Sequence, residues 1–156
     1  MQSSPNRLTW ATMVFAFIGS VVMYGVLAYI LAQSGAHTTS DLLEPLRLPV
    51  TLIGIACLVV SVVWAQLRLS VQREFVPRGF PAIAGALPEP RQFITHTIIA
   101  LAFAEACAIL GLLFFFVGGS LTDFLLCAVP SVAVMLIVIL PKGGAYWQAW
   151  ESRQEE

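Results

Sequence analysis

Four long apolar stretches alternate with polar segments along the chain. They cover about residues 10–32, 48–67, 93–117 and 124–140. A bilayer core about 30 Å thick needs about 20 residues of helix, because a helix rises about 1.5 Å per residue and bonds its own backbone groups. The pattern therefore predicts an all-α fold, a four-transmembrane-helix bundle that forms a single integral membrane domain over residues 1–156.

Residues that break helices bound these stretches. Pro49 lies where the first turn of the second helix is expected, and Gly118 lies between the third and fourth stretches. Pro141, followed by Gly143, is expected to end the fourth helix at residue 140. The first stretch follows Arg7 as a signal peptide would, but about 23 apolar residues exceed a signal core. We therefore expect a permanent first helix.

The composition agrees with a membrane protein and excludes several other classes. Hydrophobic residues make up 58% of the chain and charged residues 11%, too little polar surface for a soluble globule. With 8 basic and 9 acidic residues, the net charge of -1 excludes nucleic-acid binding. All three cysteines lie in apolar stretches and are expected to pack as small hydrophobes, without a disulfide framework or a zinc site: Cys57, Cys107 and Cys127.

Neither an enzyme active site nor a cofactor or metal site is expected. His37 lies between the first two stretches and His96 near the start of the third, with no further ligand at metal-binding spacing. Both are expected to be polar residues near the membrane interface. Asp123, at the start of the fourth stretch, is expected to cap that helix.

The basic residues predict the orientation. Seven of the eight lie in the N-terminal segment, in the loop of about residues 68–92 or after the fourth stretch, and only Arg47 lies on the other side. Basic residues of short loops stay in the cytoplasm, so we expect both termini and this loop to be cytoplasmic, in a bacterial inner membrane. The loop is rich in proline, which favours an irregular connector or a segment at the level of the lipid headgroups.

A faint internal repeat relates the two halves of the chain. Shifting the first stretch by 86 residues aligns residues 24–27 with 110–113, and Gly19 with Glu105. Two related hairpins in parallel orientation would give this pattern, and chance similarity between apolar helices would give it as well.

One charged residue lies deep within a stretch. Glu105 follows Phe93 by twelve residues, or about 18 Å of helix, near the middle of the bilayer. An ionised carboxylate there costs about 3 kcal/mol or more, so we expect Glu105 to be protonated, hydrogen-bonded or both. No Lys or Arg is available at this depth, and the hydroxyls that could be its partners are those of Ser20, Tyr24, Ser61 and Ser131.

The same stretch carries small residues at helical spacing. They recur at intervals of four, four and three positions, in Ala100, Ala104, Ala108 and Gly111. Such a stripe lets another helix backbone approach closely and predicts tight packing, with self-association as the alternative.

The residues around Glu105 resemble a known helix. In residues 99–112 an acidic residue stands among alanines and is followed by Gly111, and the polar residues 90–92 precede the stretch. This resembles the carboxylate-bearing helix of the proteolipid, or c, subunits of rotary ATP synthases and V-type ATPases. The resemblance implies that Glu105 is a proton carrier and that Ala104, Ala106 and Gly111 give close helix contact.

Two functions follow as alternatives. The first is a proteolipid-like membrane protein with a protonatable intramembrane carboxylate that takes part in proton translocation; the neighbours of Glu105 are apolar, whereas sodium needs several oxygen ligands. The second is a non-catalytic accessory or assembly subunit whose small-residue stripe meets a partner helix. A protonated carboxyl that only pins the bundle is the structural alternative. The expected partners are the lipid bilayer and a proton, with further copies of the chain or other membrane subunits.

Overall fold

The computed structural model describes residues 7–34, 43–69, 87–118 and 120–154. These residues form α1 (Arg7–Gln33), α2 (Leu43–Arg68), α3 (Pro90–Phe116), α4 (Leu121–Val134), a π-helical turn (Met135–Ile139) and α5 (Leu140–Gln154). No strand occurs among them. Four helical segments are long and apolar enough to cross a membrane: Arg7–Gln33, Pro45–Arg68, Pro90–Phe116 and Leu121–Gln154. The predicted all-α fold with four spans is confirmed.

The second helix begins earlier than the sequence pattern indicated. It starts at Leu43, and Pro49 lies inside it rather than in its first turn. Pro45 instead lies near the start of the helix. The first backbone N–H groups of a helix have no partner within it, so a proline there removes no helical hydrogen bond.

The fourth helix does not end at Pro141, so this prediction was wrong. The chain stays helical from Leu121 to Gln154, with the π-helical turn just before the proline. The backbone N–H of Leu140 bonds to the carbonyl of Met135, five residues earlier. This wider turn relieves the clash that a proline ring makes with a carbonyl of the preceding α-helical turn.

Aromatic side chains hold α5 against the bundle. The rings of Tyr146 and Phe93 stack with centroids 3.7 Å apart, and the Tyr146 hydroxyl donates a hydrogen bond of 2.6 Å to the carbonyl of Pro88. The indole ring of Trp10 occupies the space where Gly143 lacks a side chain. We call this region the tryptophan end, because Trp64 and Trp147 also lie there.

The turn between α3 and α4 is closed by a capping box. Gly118 has a φ of 113°, a backbone conformation that residues other than glycine rarely adopt. Ser120 is the N-cap of α4, with its Oγ accepting from the Asp123 backbone N–H at 3.2 Å. The Asp123 carboxylate in turn accepts from the Ser120 backbone N–H at 3.0 Å. Asp123 therefore caps α4 as expected, although from the third helical position of the capping box, with Ser120 as the N-cap residue.

Helix α3 lies at the centre of the bundle. It packs most extensively against α2 and α4 and less against α1, and it buries ten residues where α1 buries four. In the described ranges α3 and α4 are a packed pair, whereas α1 and α2 are not. The two halves therefore differ in how their helices pack.

Parts of the predicted loops lie outside the described residues. These are residues 35–42, which include His37, and residues 70–86 of the predicted cytoplasmic loop.

A candidate protonation site at Glu105

Helix α1 supplies the two polar contacts that the described residues make with the Glu105 carboxyl. The Ser20 Oγ lies 2.5 Å from Glu105 Oε1, and the Tyr24 hydroxyl donates to the same oxygen at 2.9 Å. Ser20 and Tyr24 are four positions apart, so they share one face of α1 and lie one turn from each other. The structure thus brings three of the residues singled out in the sequence into one cluster.

Three contacts share the hydrogens of this cluster. The Ser20 hydroxyl is also 2.7 Å from the Phe17 carbonyl, which makes three contacts in all. Ser20 and Tyr24 each bring one hydrogen, and an ionised carboxylate brings none, so one contact would lack a hydrogen. The Ser20 hydroxyl has one hydrogen for two acceptors, the Phe17 carbonyl and Glu105 Oε1, and Tyr24 donates to the same carboxyl oxygen.

No basic side chain faces Glu105 among the described residues. The two ion pairs found there lie near the ends of the bundle, Arg47 with Asp123 at 2.8 Å and Arg7 with Glu151 at 3.8 Å. The partners of Glu105 are uncharged hydroxyls, which can hydrogen-bond to the carboxyl but cannot neutralise a full negative charge.

Glu105 lies at an edge of the bundle rather than in its core. Its side chain is half-buried, whereas Ala104 beside it is fully buried. On the other side, Ala102 is exposed, and Phe103 and Ile109 are 37% and 39% exposed. The carboxyl is therefore flanked by α1 on one side and by an open apolar surface on the other.

Ser61 and Ser131, expected as further partners at this depth, do not reach Glu105. Ser61 donates to the Ala100 carbonyl at 2.7 Å, and Ser131 donates to the carbonyl of Cys127, on its own helix, at 2.8 Å. Both side chains are fully buried. They lie on α2 and α4, which pack on other faces of α3, so equal depth does not bring them near the carboxyl.

The small-residue stripe of α3 packs inside the chain. Its members are all buried: Ala100, Ala104, Ala108 and Gly111. A side-chain carbon added at Gly111 would lie 2.7 Å from the Cβ of Cys127 and 3.2 Å from the carbonyl oxygen of Phe124. At Gly111 the stripe brings α3 close to α4, and its buried members are not free to meet a second copy or a partner helix.

The structure also brings together cysteines that the sequence did not relate. The sulfurs of Cys107 on α3 and Cys127 on α4 lie 3.3 Å and 3.9 Å from the point where Gly54 of α2 would carry a side chain. Spacing gave no sign of this, because the two cysteines come from different helices. The sequence signal for this contact was limited to Gly54 and Gly111, whose missing side chains leave space that the cysteines fill.

Comparison of the chain with protein-family models, with curated proteins and with solved structures gave no match. The resemblance of residues 99–112 to the proteolipid subunits therefore stays a prediction.

Proposed function

We propose that this protein is a proteolipid-like integral membrane protein in which Glu105 takes up and releases a proton within the bilayer and so takes part in proton translocation. The observation that carries the proposal is the contact of one intramembrane carboxyl with two hydroxyls of α1, Ser20 and Tyr24. A carboxyl whose partners among the described residues are hydroxyls can exchange a proton without breaking an ion pair.

The hydrogen bonds can serve both protonation states. With Glu105 protonated, Ser20 donates to the Phe17 carbonyl, and with Glu105 ionised, the same hydroxyl turns and donates to the carboxylate. Tyr24 donates in either state. Loss of the proton therefore requires rotation of one hydroxyl and leaves the carboxylate with two hydrogen bonds, which lowers the energetic cost of a transient charge.

A proton suits the site better than sodium. Hard metal cations are held by several oxygen ligands, whereas the carboxyl of Glu105 has two hydroxyls beside it. The flanking residues Ala104 and Ala106 bring no side-chain oxygen.

The proposed orientation places the tryptophan end in the cytoplasm of a bacterial cell, with the protein in the inner membrane. Arg7, Arg68 and Arg153 lie near this end, and the Arg68 guanidinium is 5.7 Å from the centre of the Trp64 ring. Indole rings and basic side chains together are typical of a cytoplasmic membrane interface.

Carbodiimide labelling tests the site. Dicyclohexylcarbodiimide reacts with protonated carboxyls in apolar surroundings, so the purified protein in detergent is expected to gain one adduct at Glu105 by peptide mass mapping. Glu105→Gln is expected to remove the adduct, and the ion-paired Asp123 of the same chain is an internal control that should stay unmodified. Labelling of Asp123 with none at Glu105 would contradict a protonated site.

Proton flux tests the activity. In liposomes with an imposed potassium gradient and valinomycin, the unsubstituted protein is expected to conduct protons, and Glu105→Gln should abolish the flux while leaving the helical circular dichroism unchanged. Equal flux from both proteins, or none from either, would restrict Glu105 to a structural role.

An accessory or assembly subunit is the second candidate function, and one surface favours it. Ala102 is exposed and Ala106 half-exposed on the face of α3 beside Phe103, whereas the predicted stripe is buried. A partner helix would therefore use this neighbouring face. The mass of the particle extracted from its native membrane distinguishes the two, since a large homo-oligomer favours a proteolipid and a complex with other chains favours an accessory subunit.

A further inference from the structure

The thiols of Cys107 and Cys127 are neighbours in the bundle. Cys107 Sγ lies 3.7 Å from the Cys127 carbonyl oxygen, and both sulfurs lie within 4 Å of the point where Gly54 would carry a side chain. Both cysteines are free, as is Cys57. Two thiols from two helices are thus held together without a bond between them.

Two glycines make room for this pair. A side chain at Gly54 would meet Cys107 Sγ at 3.3 Å, and one at Gly111 would meet Cys127 Sγ at 3.4 Å and its Cβ at 2.7 Å. The sulfurs therefore fill space that α2 and α3 leave open.

A cavity gives access to the pair. It has a volume of about 150 Å³, lies between α2, α3 and α4, touches both cysteines and extends to the ion pair of Arg47 and Asp123 at the end of the bundle. Cys127 is four residues from Asp123, or about 6 Å along the helix axis. A cavity of this size admits a small aromatic molecule. Cys57 does not line the cavity, although it is half-buried on the same helix as Gly54.

We propose that Cys107 and Cys127 are a redox-active dithiol that a small disulfide oxidises through this cavity. Cys127 is the more exposed of the two, so its thiolate attacks the incoming disulfide, forms a mixed disulfide and releases one thiol. The sulfur of Cys107 then attacks the sulfur of Cys127 and releases the second thiol. Two electrons pass to the incoming disulfide, and the two cysteine protons end on the released thiols.

The product is a covalent link between α3 and α4. Cys107 follows Glu105 by two residues, which is about 200° of helical rotation, so the link forms on the face of α3 opposite the carboxyl. Oxidation therefore fixes the α3–α4 contact and leaves the contact of Glu105 with α1 in place.

The test uses 2,2′-dithiodipyridine, an apolar disulfide whose released thione is measured by absorbance. In folded Cys57→Ala protein in detergent, we expect two thiones per chain and a Cys107–Cys127 cross-linked peptide in the mass map. With Cys107→Ser added, we expect one thione per chain and a stable adduct on Cys127.

Three results would overturn the proposal. One is a single thione per chain from Cys57→Ala protein with an adduct left on Cys127, and another is reaction only after denaturation. The third comes from the unsubstituted chain, whose folding no mutation affects, if its cross-linked peptide contains Cys57.

Discussion

The two sides of α3 that face α4 and α1 are built differently. Towards α4, Gly111 lies so close that an added carbon would meet backbone and side chain within 3.2 Å. Towards α1, the hydroxyls of Ser20 and Tyr24 reach across to the Glu105 carboxyl. At Gly111 the α4 side has no room for a further atom, whereas the α1 side is joined to α3 by the hydrogen bonds of Glu105.

The largest expected effect comes from a substitution at the close contact between α3 and α4. Gly111→Leu should lower the free energy of unfolding by about 3 kcal/mol or more, because Cys127 and the backbone at Phe124 must move. Gly19→Leu, on the exposed face of α1, is the matched control and should change stability by less than about 0.5 kcal/mol. Unfolding in sodium dodecyl sulfate, followed by circular dichroism, measures both. Similar losses for the two variants would refute the contrast.

A second pair of variants tests the contact between α1 and α5. Gly143→Ala should lower stability by about 2 kcal/mol, since the buried Trp10 ring occupies the space of the new methyl group. Gly144→Ala adds the same methyl where nothing lies within 4 Å and should be neutral. Thermal unfolding in detergent, read by tryptophan fluorescence, compares them. A neutral Gly143→Ala variant would mean that Trp10 does not fix α1 to α5.

Removing one hydroxyl sharpens the comparison on the α1 side. Tyr24→Phe should lower stability by about 0.6 to 1 kcal/mol, the value of one side-chain hydrogen bond between membrane helices. Tyr29→Phe is the control, because Tyr29 is 54% exposed and bonds only within α1. A double-mutant cycle of Tyr24→Phe with Glu105→Gln measures the coupling. Additive losses would show that the hydroxyl and the carboxyl do not interact.

The smallest effect concerns the ion pair at the mouth of the cavity. Arg47→Ala should cost less than about 1 kcal/mol and less still at high salt, because the Arg47 side chain is 66% exposed. Asp123→Ala should cost more, about 1 kcal/mol or above, since it also removes the capping box of α4. Denaturation at low and high salt separates the two. Equal, salt-dependent losses would contradict a capping role.

The sequence was sufficient for features that depend on length and apolarity along one helix. It located four spans and the isolated carboxyl, because the energetic cost of polar groups in hydrocarbon acts residue by residue. It also placed Ser20 and Tyr24 at the depth of Glu105.

The sequence could not predict features that depend on how the other helices are arranged around α3. Ser61 and Ser131 have the right depth but lie on helices that face other sides of α3. The proximity of Cys107 to Cys127 could not be predicted for the same reason, because it depends on which face of α3 packs against α4. Pro141 misled because a π-helical turn, which has no sequence signature, accommodates the proline within a continuous helix.

The continuous helix from Leu121 to Gln154 has a mechanical consequence. Its 34 residues extend about 51 Å, whereas the hydrocarbon layer is about 30 Å thick, so the last turns of the helix reach beyond the hydrocarbon. A spin label or fluorophore attached at Gln154 would move with the membrane-embedded part of this rod. Tilting of the fourth span could thus be followed from outside the lipid without touching the carboxyl or the thiols.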